Sequence, residues 1–406
     1  MRALDDILVL DLSRVLAGPW CTQNLADLGA TVIKVEKPGE GDDTRHWGPV
    51  YLKDPETGAR ADSAYYLAAN RGKHSITVDM AKPEGQQILR DLAAQADVVV
   101  ENYKLGGLKK YGLDYDSLAK INPRLVYCSI TGFGQTGPYA PRAGYDFIIQ
   151  GMGGLMSVTG ERDDLPGGGP QKAGVALSDV MTGLYSTIAI LGALNQRHRS
   201  GRGQYIDMAL LDVQVAALAN QATYYLIGGE APVRMGNGHA AIVPYQSFPA
   251  ADGHVIIAVG NDGQFAKLAD ELGHPEWKAD PRFATNIERL HNRTLVVGAI
   301  EAETRKRTMD DLIAALEKRQ VPCGPINTID RVFADPHVQA RGLQKTVPHT
   351  GQGSLPSVAS PLRLSESPVV YDRGPPLLGE HTEAVLRERL GLDAAALAAL
   401  RDKGVI

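Results

Sequence analysis

The chain has 406 residues, of which 44% are hydrophobic and 22% charged, with a net charge of −5 and a pI near 6.1. That length exceeds one ordinary core, and the mild acidity argues against nucleic acid or an anionic membrane as the main partner. Cys21, Cys128 and Cys323 are dispersed and in no metal-ligand spacing; with no leader peptide and no apolar stretch of membrane-spanning length, they predict a soluble cytoplasmic protein with reduced thiols.

In chain order, residues 7–12 read as an apolar strand and 18–28 as a helix opened by Gly18-Pro19 and closed by Gly29. Strands at 31–36, 73–79, 97–101 and 125–130 alternate with helices at 83–96 and 113–121. This alternation predicts an α/β fold with a Rossmann-like, doubly wound, mostly parallel sheet. Residues 131–170 are rich in glycine and proline and read as loop at the carboxyl edge of that sheet. A long helix follows at 180–198. Thr182, Gly183, Ser186 and Thr187 interrupt its apolar run and favour a buried helix over a membrane span. A strand at 204–209 and a helix at 212–227 complete the block. Beyond Gly228 the pattern changes. Strands at 245–249 and 255–260 flank the turn Ala251-Asp252-Gly253, with helices at 262–272, 289–304 and 309–318. The predicted division is a large domain, 1–227, completed by 326–406, and a smaller α+β domain, 228–325. The tail holds a Pro/Gly-rich segment, 375–382, and two short helices.

Asp179 is the residue with most chemistry to explain. It is the only acid between Asp164 and Asp207, and it stands directly before an apolar helix. There it is open to three roles: a cap on unpaired N–H groups, a counterpart in an anion site, or an ionised nucleophile. Asp146 is open to capping or pairing. The turn from Ser13 to Pro19 lacks G-x-G-x-x-G, so NAD is not expected. No P-loop, H-E-x-x-H, C-x-x-C or G-x-S-x-G occurs, and no metal is expected. Arg14, Lys37, Arg71, Lys73, Lys104, Lys109, Lys110 and Arg142 stand near predicted strand ends, where together they could hold a phosphorylated ligand by point charges.

At this point the residues carry a family resemblance. The segments Val9-Leu10-Asp11-Leu12-Ser13-Arg14-Val15-Leu16-Ala17-Gly18-Pro19, Gly29-Ala30-Thr31-Val32-Ile33-Lys34-Val35-Glu36, Gly41-Asp42-Asp43-Thr44-Arg45 and Glu101-Asn102-Tyr103 resemble those of the class III CoA-transferases. So do Gly144-Tyr145-Asp146, Leu177-Ser178-Asp179, Gly201-Arg202-Gly203-Gln204 and Pro376-Leu377-Leu378-Gly379-Glu380-His381-Thr382. Within the family, Ile242-Val243-Pro244-Tyr245-Gln246 with Gly260-Asn261, Gln264-Phe265 and Gly48-Pro49 is similar to the succinyl-CoA:glutarate (dicarboxylate) CoA-transferases.

The resemblance implies that Asp179 is a nucleophile carrying CoA as an aspartyl thioester between an acyl-CoA donor and a carboxylate acceptor. It implies coenzyme A contacts at Val15, Leu16 and Ala17 beside the pantetheine, and at Lys37 and Val78 to Ala81 beside the adenine. Asn102 and Tyr103, Lys110 near a phosphate and Arg142 near the diphosphate complete the set. Lysine stands at 37 and 110 where formyl-CoA transferases carry arginine, which keeps the charge and loses the bidentate grip. The segment Gly236-Asn237-Gly238-His239 is the candidate for oxyanion donors or a lid. Arg45, Arg71, His239 and Arg293 are candidates for a distal carboxylate. An interlocked homodimer is also implied. Two rival readings are a 2-methylacyl-CoA racemase of the same fold and a non-catalytic CoA-binding protein. The racemases carry His-Asp where this chain has Tyr145-Asp146, and tyrosine, with a pKa near 10, is a poor replacement base.

Overall fold

A computed structural model describes residues 2–406. Six strands, β1 (Leu8–Asp11), β2 (Thr31–Glu36), β3 (Lys73–Thr77), β4 (Val98–Glu101), β5 (Val126–Thr131) and β6 (Tyr205–Ala209), form one parallel sheet in the order β3-β2-β1-β4-β5-β6. The inner strands are apolar on both faces because both are covered. On β1, Leu8 and Leu10 join a cluster with Ile33, Val99 and Leu89, while Val9 joins Val32, Val100 and Ile190 in a second cluster. Strand order reverses between β1 and β4, so a switch-point crevice opens at their carboxyl ends. The helices that matter here are α1 (Ala17–Asp27), α2 (Pro83–Gln95), α3 (Tyr115–Ile121), α4 (Asp146–Met152), α5 (Leu177–Ser200) and α6 (Leu210–Ala216).

The chain divides into two compact units. One comprises residues up to Leu155, Ala173–Thr223 and Pro336–Ile406; the other comprises Met156–Lys172 and Tyr224–Asp335. Residues 156–172, 224–227 and 326–335, read from sequence as part of the large domain, thus gather with the second unit. That unit has a three-stranded antiparallel sheet, β7 (Tyr245–Pro249), β8 (His254–Ala258) and β9 (Cys323–Pro325), with β8 central. Its own core is built on Phe248, Val255, Ile257, Phe265 and Leu316.

Three local readings need correction. The segment 131–170 is not all loop, since it contains α4 and a further turn of helix, Leu155–Val158. The helix read at 212–227 is two helices, broken where Ala219 takes a positive φ of 47°. The helix read at 289–304 breaks at Asn292. Two short hairpins, Tyr51–Lys53 with Arg60–Ser63 and Gln344–His349 with Gly353–Val358, gave too little alternation to be seen. By length and composition α5 could cross a membrane; here it packs on α1 and buries Ile190, Ala193 and Leu194.

The Pro/Gly-rich tail finds its place on edge strand β3. His381 N–H bonds to Ser75 O, Gly379 N–H to Ser75 Oγ and Thr77 N–H to Thr382 Oγ1, which covers an edge that would otherwise invite pairing.

Under the β1–α1 loop lies a buried ionic network. Lys34 Nζ bonds to Asp42 at 2.8 Å and to Ser13 O, Lys73 Nζ to Asp11 at 3.1 Å, and Arg45 to both Glu36 oxygens. Asp42 also receives Val15 N–H at 3.2 Å. Val15 sits at φ 71°, where a β-branched residue is strained and must be held. Burial alone would raise the Asp42 pKa, but Lys34 and the Thr44 donors outweigh it and hold the carboxyl below its usual range. Glu36 behaves likewise with Arg45. The stability these acids contribute is therefore present above the unfolded value near 4 and lost as pH falls through their lower folded values. Removing one partner strands a buried charge. Asp42→Ala should lower unfolding free energy by about 3–5 kcal/mol in urea melts at pH 7; a loss below about 1 kcal/mol would show that the network does not hold this loop.

Candidate active site

Helix α5 begins at Leu177 with Ala176 at its cap, and no side chain of its own satisfies the first N–H groups. Asp179 lies in the first turn, three residues after the cap residue Ala176, so it is not the N-cap. The cap comes from α4: Asp146 Oδ1 accepts from Ser178 N–H at 2.8 Å and from Asp179 N–H at 3.4 Å. The other oxygen, Oδ2, accepts from Gln150 Nε2 at 2.7 Å, and Gln150 Oε1 in turn accepts from Ala173 N–H. Ser178 Oγ donates to Gln214 Oε1 on α6. Asp146 is thus saturated with donors and takes the favourable field of the helix end.

Asp179 has none of these partners. Partial burial raises its carboxyl pKa, and the neighbouring Asp146 carboxylate raises it further, to about 7. The helix N-terminus was expected to favour an ionised Asp179; in the structure its first N–H groups are bonded to Asp146 instead. Tyr65 is a neighbour the sequence gave no reason to choose. Burial raises its phenol to about 12, with Asp179 the next contributor, so it stands beside the acids as a neutral hydroxyl.

Two close backbone approaches assemble this edge. A Cβ on Gly183 would meet Ala17 O at 2.8 Å, so the absence of a side chain lets α1 and α5 cross tightly and brings Val15, Leu16 and Ala17 close to the first turns of α5. A Cβ on Gly132 would lie 2.5 Å from Gly144 Cα, so the end of β5 and the start of α4 touch and set the place of Tyr145 and Asp146.

The residues matched to coenzyme contacts lie after the carboxyl ends of successive strands: Val15 to Ala17 after β1, Lys37 after β2, Val78 to Ala81 after β3, Asn102 and Tyr103 after β4, Arg142 after β5. Lys110 lies beyond Tyr103 in the β4–α3 connection. Asn102 clamps the backbone of Arg14, Oδ1 accepting from its N–H and Nδ2 donating to its O, across the switch-point crevice. Tyr103 has Arg14 at 5.9 Å from its ring. Lys37, Lys110 and Arg142 are exposed; Lys37 pairs with Glu40, Lys110 lies over Tyr111 and Arg142 over Tyr139. Ala81 is exposed, whereas the Val78 side chain belongs to the core. Arg71 and Lys73 leave the basic set, being buried in pairs with Asp27 and Asp11.

In the second unit, the loop Gly236-Asn237-Gly238-His239 is tied down by its own backbone. Gly236 N–H bonds to Gly160 O, Gly238 N–H to Met235 O and His239 N–H to Tyr245 O. That leaves Asn237 N–H as the loop's one backbone donor without an acceptor among the described residues. Arg293 donates to His239 O at 2.8 Å and to Ala240 O. No carboxylate pairs with it among the described residues, and burial followed by Arg162 pulls its pKa down. Arg45 and Arg71, the other guanidinium candidates for a distal carboxylate, are both occupied by buried acids.

Comparison with known proteins fits this geometry. Residues 4–382 match CoA-transferase family III. The chain is 54% identical over 385 residues, 95% of each chain, to the succinate–glutarate CoA-transferase of Agrobacterium fabrum. It is 42% identical over 406 residues, all of this chain and 90% of the other, to the succinyl-CoA:glutarate CoA-transferase of Homo sapiens. A solved CaiB/BaiF family protein from Brucella suis superposes with a TM-score of 0.86 at 53% identity, covering 96% of this chain and 100% of that one.

The raised pKa has a stability consequence. Between the unfolded value near 4 and the folded value of about 7, the native state binds a proton that the unfolded chain lacks, so this group's contribution falls as pH rises across that window. Asp179→Asn cannot ionise. It should be more stable than the parent at pH 8 by on the order of 1–3 kcal/mol, with the difference shrinking at pH 5. Equal stability at both pH values in chemical denaturation would contradict the burial of an unpaired carboxylate.

Proposed function

The chain belongs to CoA-transferase family III, and from that premise we propose that this enzyme moves CoA from succinyl-CoA to a dicarboxylate acceptor such as glutarate, with Asp179 as the nucleophile. The observation that carries the reading is the division of labour at the α5 N-terminus: Asp146 caps the helix and the Asp179 carboxyl has no partner among the described residues. The relatives from Agrobacterium and human, named for succinate and glutarate, support the substrates.

In the proposed reaction the Asp179 carboxylate attacks the thioester carbonyl of succinyl-CoA, the C–S bond breaks, and CoA thiolate leaves a succinyl-aspartyl anhydride. The thiolate then attacks the aspartyl carbonyl, forming an aspartyl-CoA thioester and releasing succinate. The acceptor carboxylate attacks that thioester and displaces the thiolate, giving an acceptor-aspartyl anhydride. The thiolate finally attacks the acceptor's carbonyl, forming the new acyl-CoA and restoring the Asp179 carboxylate. No proton is gained or lost overall. A carboxylate of raised proton affinity is more nucleophilic once ionised, which suits both attacks.

For coenzyme A we assign Val15, Leu16 and Ala17 to the pantetheine, with Lys37, Val78, Ala81, Asn102, Tyr103, Lys110 and Arg142 along the strand ends. From the family resemblance alone, the loop Gly236-Asn237-Gly238-His239 stays our candidate for oxyanion donors or a lid, and Arg293 our candidate cation for the acceptor's second carboxylate. Tyr145, Phe147, Ile148, Leu184 and Ile188 form exposed apolar surface of the kind that pairs subunits, which supports a homodimer. The three cysteines, none in a disulfide among the described residues, suit a reducing compartment, the cytoplasm in our reading.

Asp179→Ala should reduce succinyl-CoA/glutarate exchange by at least about 1,000-fold and leave CoA binding within about twofold; retained exchange would refute the nucleophile. In the parent, kcat/KM should rise about tenfold per pH unit and level off above about 7, where Asp179 is ionised.

Arg293→Gln should lower kcat/KM for glutarate roughly 10- to 100-fold while leaving butyrate, which lacks a second carboxylate, within about twofold. Equal losses for both acids would remove Arg293 from substrate recognition.

A further inference from the structure

The amino edge of the six-stranded sheet, opposite the edge described above, has a feature that CoA transfer does not use. A cleft of about 210 Å³ opens there, beside the starts of β2 and β3 and the segment 370–373. Three arginines line it, Arg2, Arg71 and Arg373, against two aspartates, Asp27 and Asp372. Arg2 is paired with Asp372 and Arg71 with Asp27. Arg373 has no carboxylate partner among the described residues. Its side-chain hydrogen bond runs from Nη1 to His381 Nε2 at 2.8 Å.

That bond is contested. Ser75 N–H points at the other nitrogen of the same ring, His381 Nδ1, at 3.3 Å. A neutral imidazole has one acceptor nitrogen and a protonated one has none, so the ring cannot satisfy both donors. The Ser75 donor is fixed in β3, whereas the Arg373 guanidinium is a side-chain group that can turn. His74 packs edge-on to His381 at 4.9 Å, and its buried Nδ1 has no hydrogen-bond partner among the described residues. Burial pushes the His74 pKa down to about 4, and Arg373 and His381 push it the same way.

We propose that this cleft is a second anion site, in which the Arg373 guanidinium takes an inorganic phosphate ion separately from the CoA and acyl sites. Its fork matches two phosphate oxygens, and the lining keeps one positive charge after both ion pairs are counted. Binding releases His381 to accept from Ser75 alone.

The test is calorimetric titration of inorganic phosphate into the full-length enzyme saturated with CoA, so that the sites for the coenzyme's own phosphates are filled. Saturable binding is expected, at least tenfold weaker in Arg373→Gln, with parent-like acyl exchange showing that the variant is folded. Arg373→Lys, which keeps the charge and loses the fork, should fall between the two and serves if the glutamine variant does not fold. In NMR titrations the His74 imidazole pKa should rise with phosphate. Absence of saturable binding, equal affinity in both Arg373 variants and the parent, or binding of ATP in place of phosphate would overturn the proposal.

Discussion

The N–H groups of Ser178 and Asp179 both point at one oxygen of Asp146, and the character of the site follows from that contact. A helix N-terminus can stabilise one carboxylate well. Asp146 takes that place from outside the helix, fixed by Gln150 one turn along α4. Asp179 then stands in the same field without the hydrogen bonds, next to a like charge and partly out of water. Its pKa of about 7 reflects burial first and Asp146 second. A carboxylate that also served as the cap would be bound to its helix by hydrogen bonds and held far below neutrality, a poor condition for repeated covalent attack. The division between a capping acid and one without hydrogen bonds among the described residues resembles the general pattern in which environment, not residue type, sets two roles for two carboxylates.

The arrangement rests on close backbone contact. Gly183 and the Gly132–Gly144 pair let α1, α5 and the β5–α4 connection approach within van der Waals limits that any Cβ would violate. The buried pairs Lys34–Asp42 and Lys73–Asp11 lie beneath the same loop, and Asp42 holds Val15 in a conformation that valine rarely adopts. Buried ion pairs are seldom a net gain in stability over apolar packing. Here the network serves to fix the backbone of Val15, Leu16 and Ala17, where the coenzyme's pantetheine is proposed to lie.

Much of this was legible in the sequence. The strands of the parallel sheet showed themselves because a doubly covered sheet needs continuous apolar runs, and β2 was read to its residue limits. The family segments around Asp11, Asp146 and Asp179 all fall at the carboxyl edge. What the sequence did not carry were effects that depend on three-dimensional neighbours. Asp179 was weighed as a cap because it precedes an apolar run, but the capping group came from Asp146, 33 residues earlier in the chain. The Gln150 that fixes Asp146 lies four residues after it on one helix face, a spacing that could have suggested the pair. Arg45, Arg71 and Lys73 looked available as ligand cations until their buried partners were seen. Tyr65 had no local signal at all, since its relation to Asp179 is purely spatial. The breaks at Ala219 and Asn292 were hidden because neither is a glycine or proline.

The central claim is that CoA passes through a covalent bond to Asp179. Its most direct measurement is mass spectrometry of enzyme quenched within seconds of mixing with succinyl-CoA and no acceptor, with peptide mapping. The account predicts an adduct equal to CoA less one water on the peptide containing Asp179, discharged when glutarate is added. An adduct on another residue, or steady exchange with no adduct at any time, would contradict it.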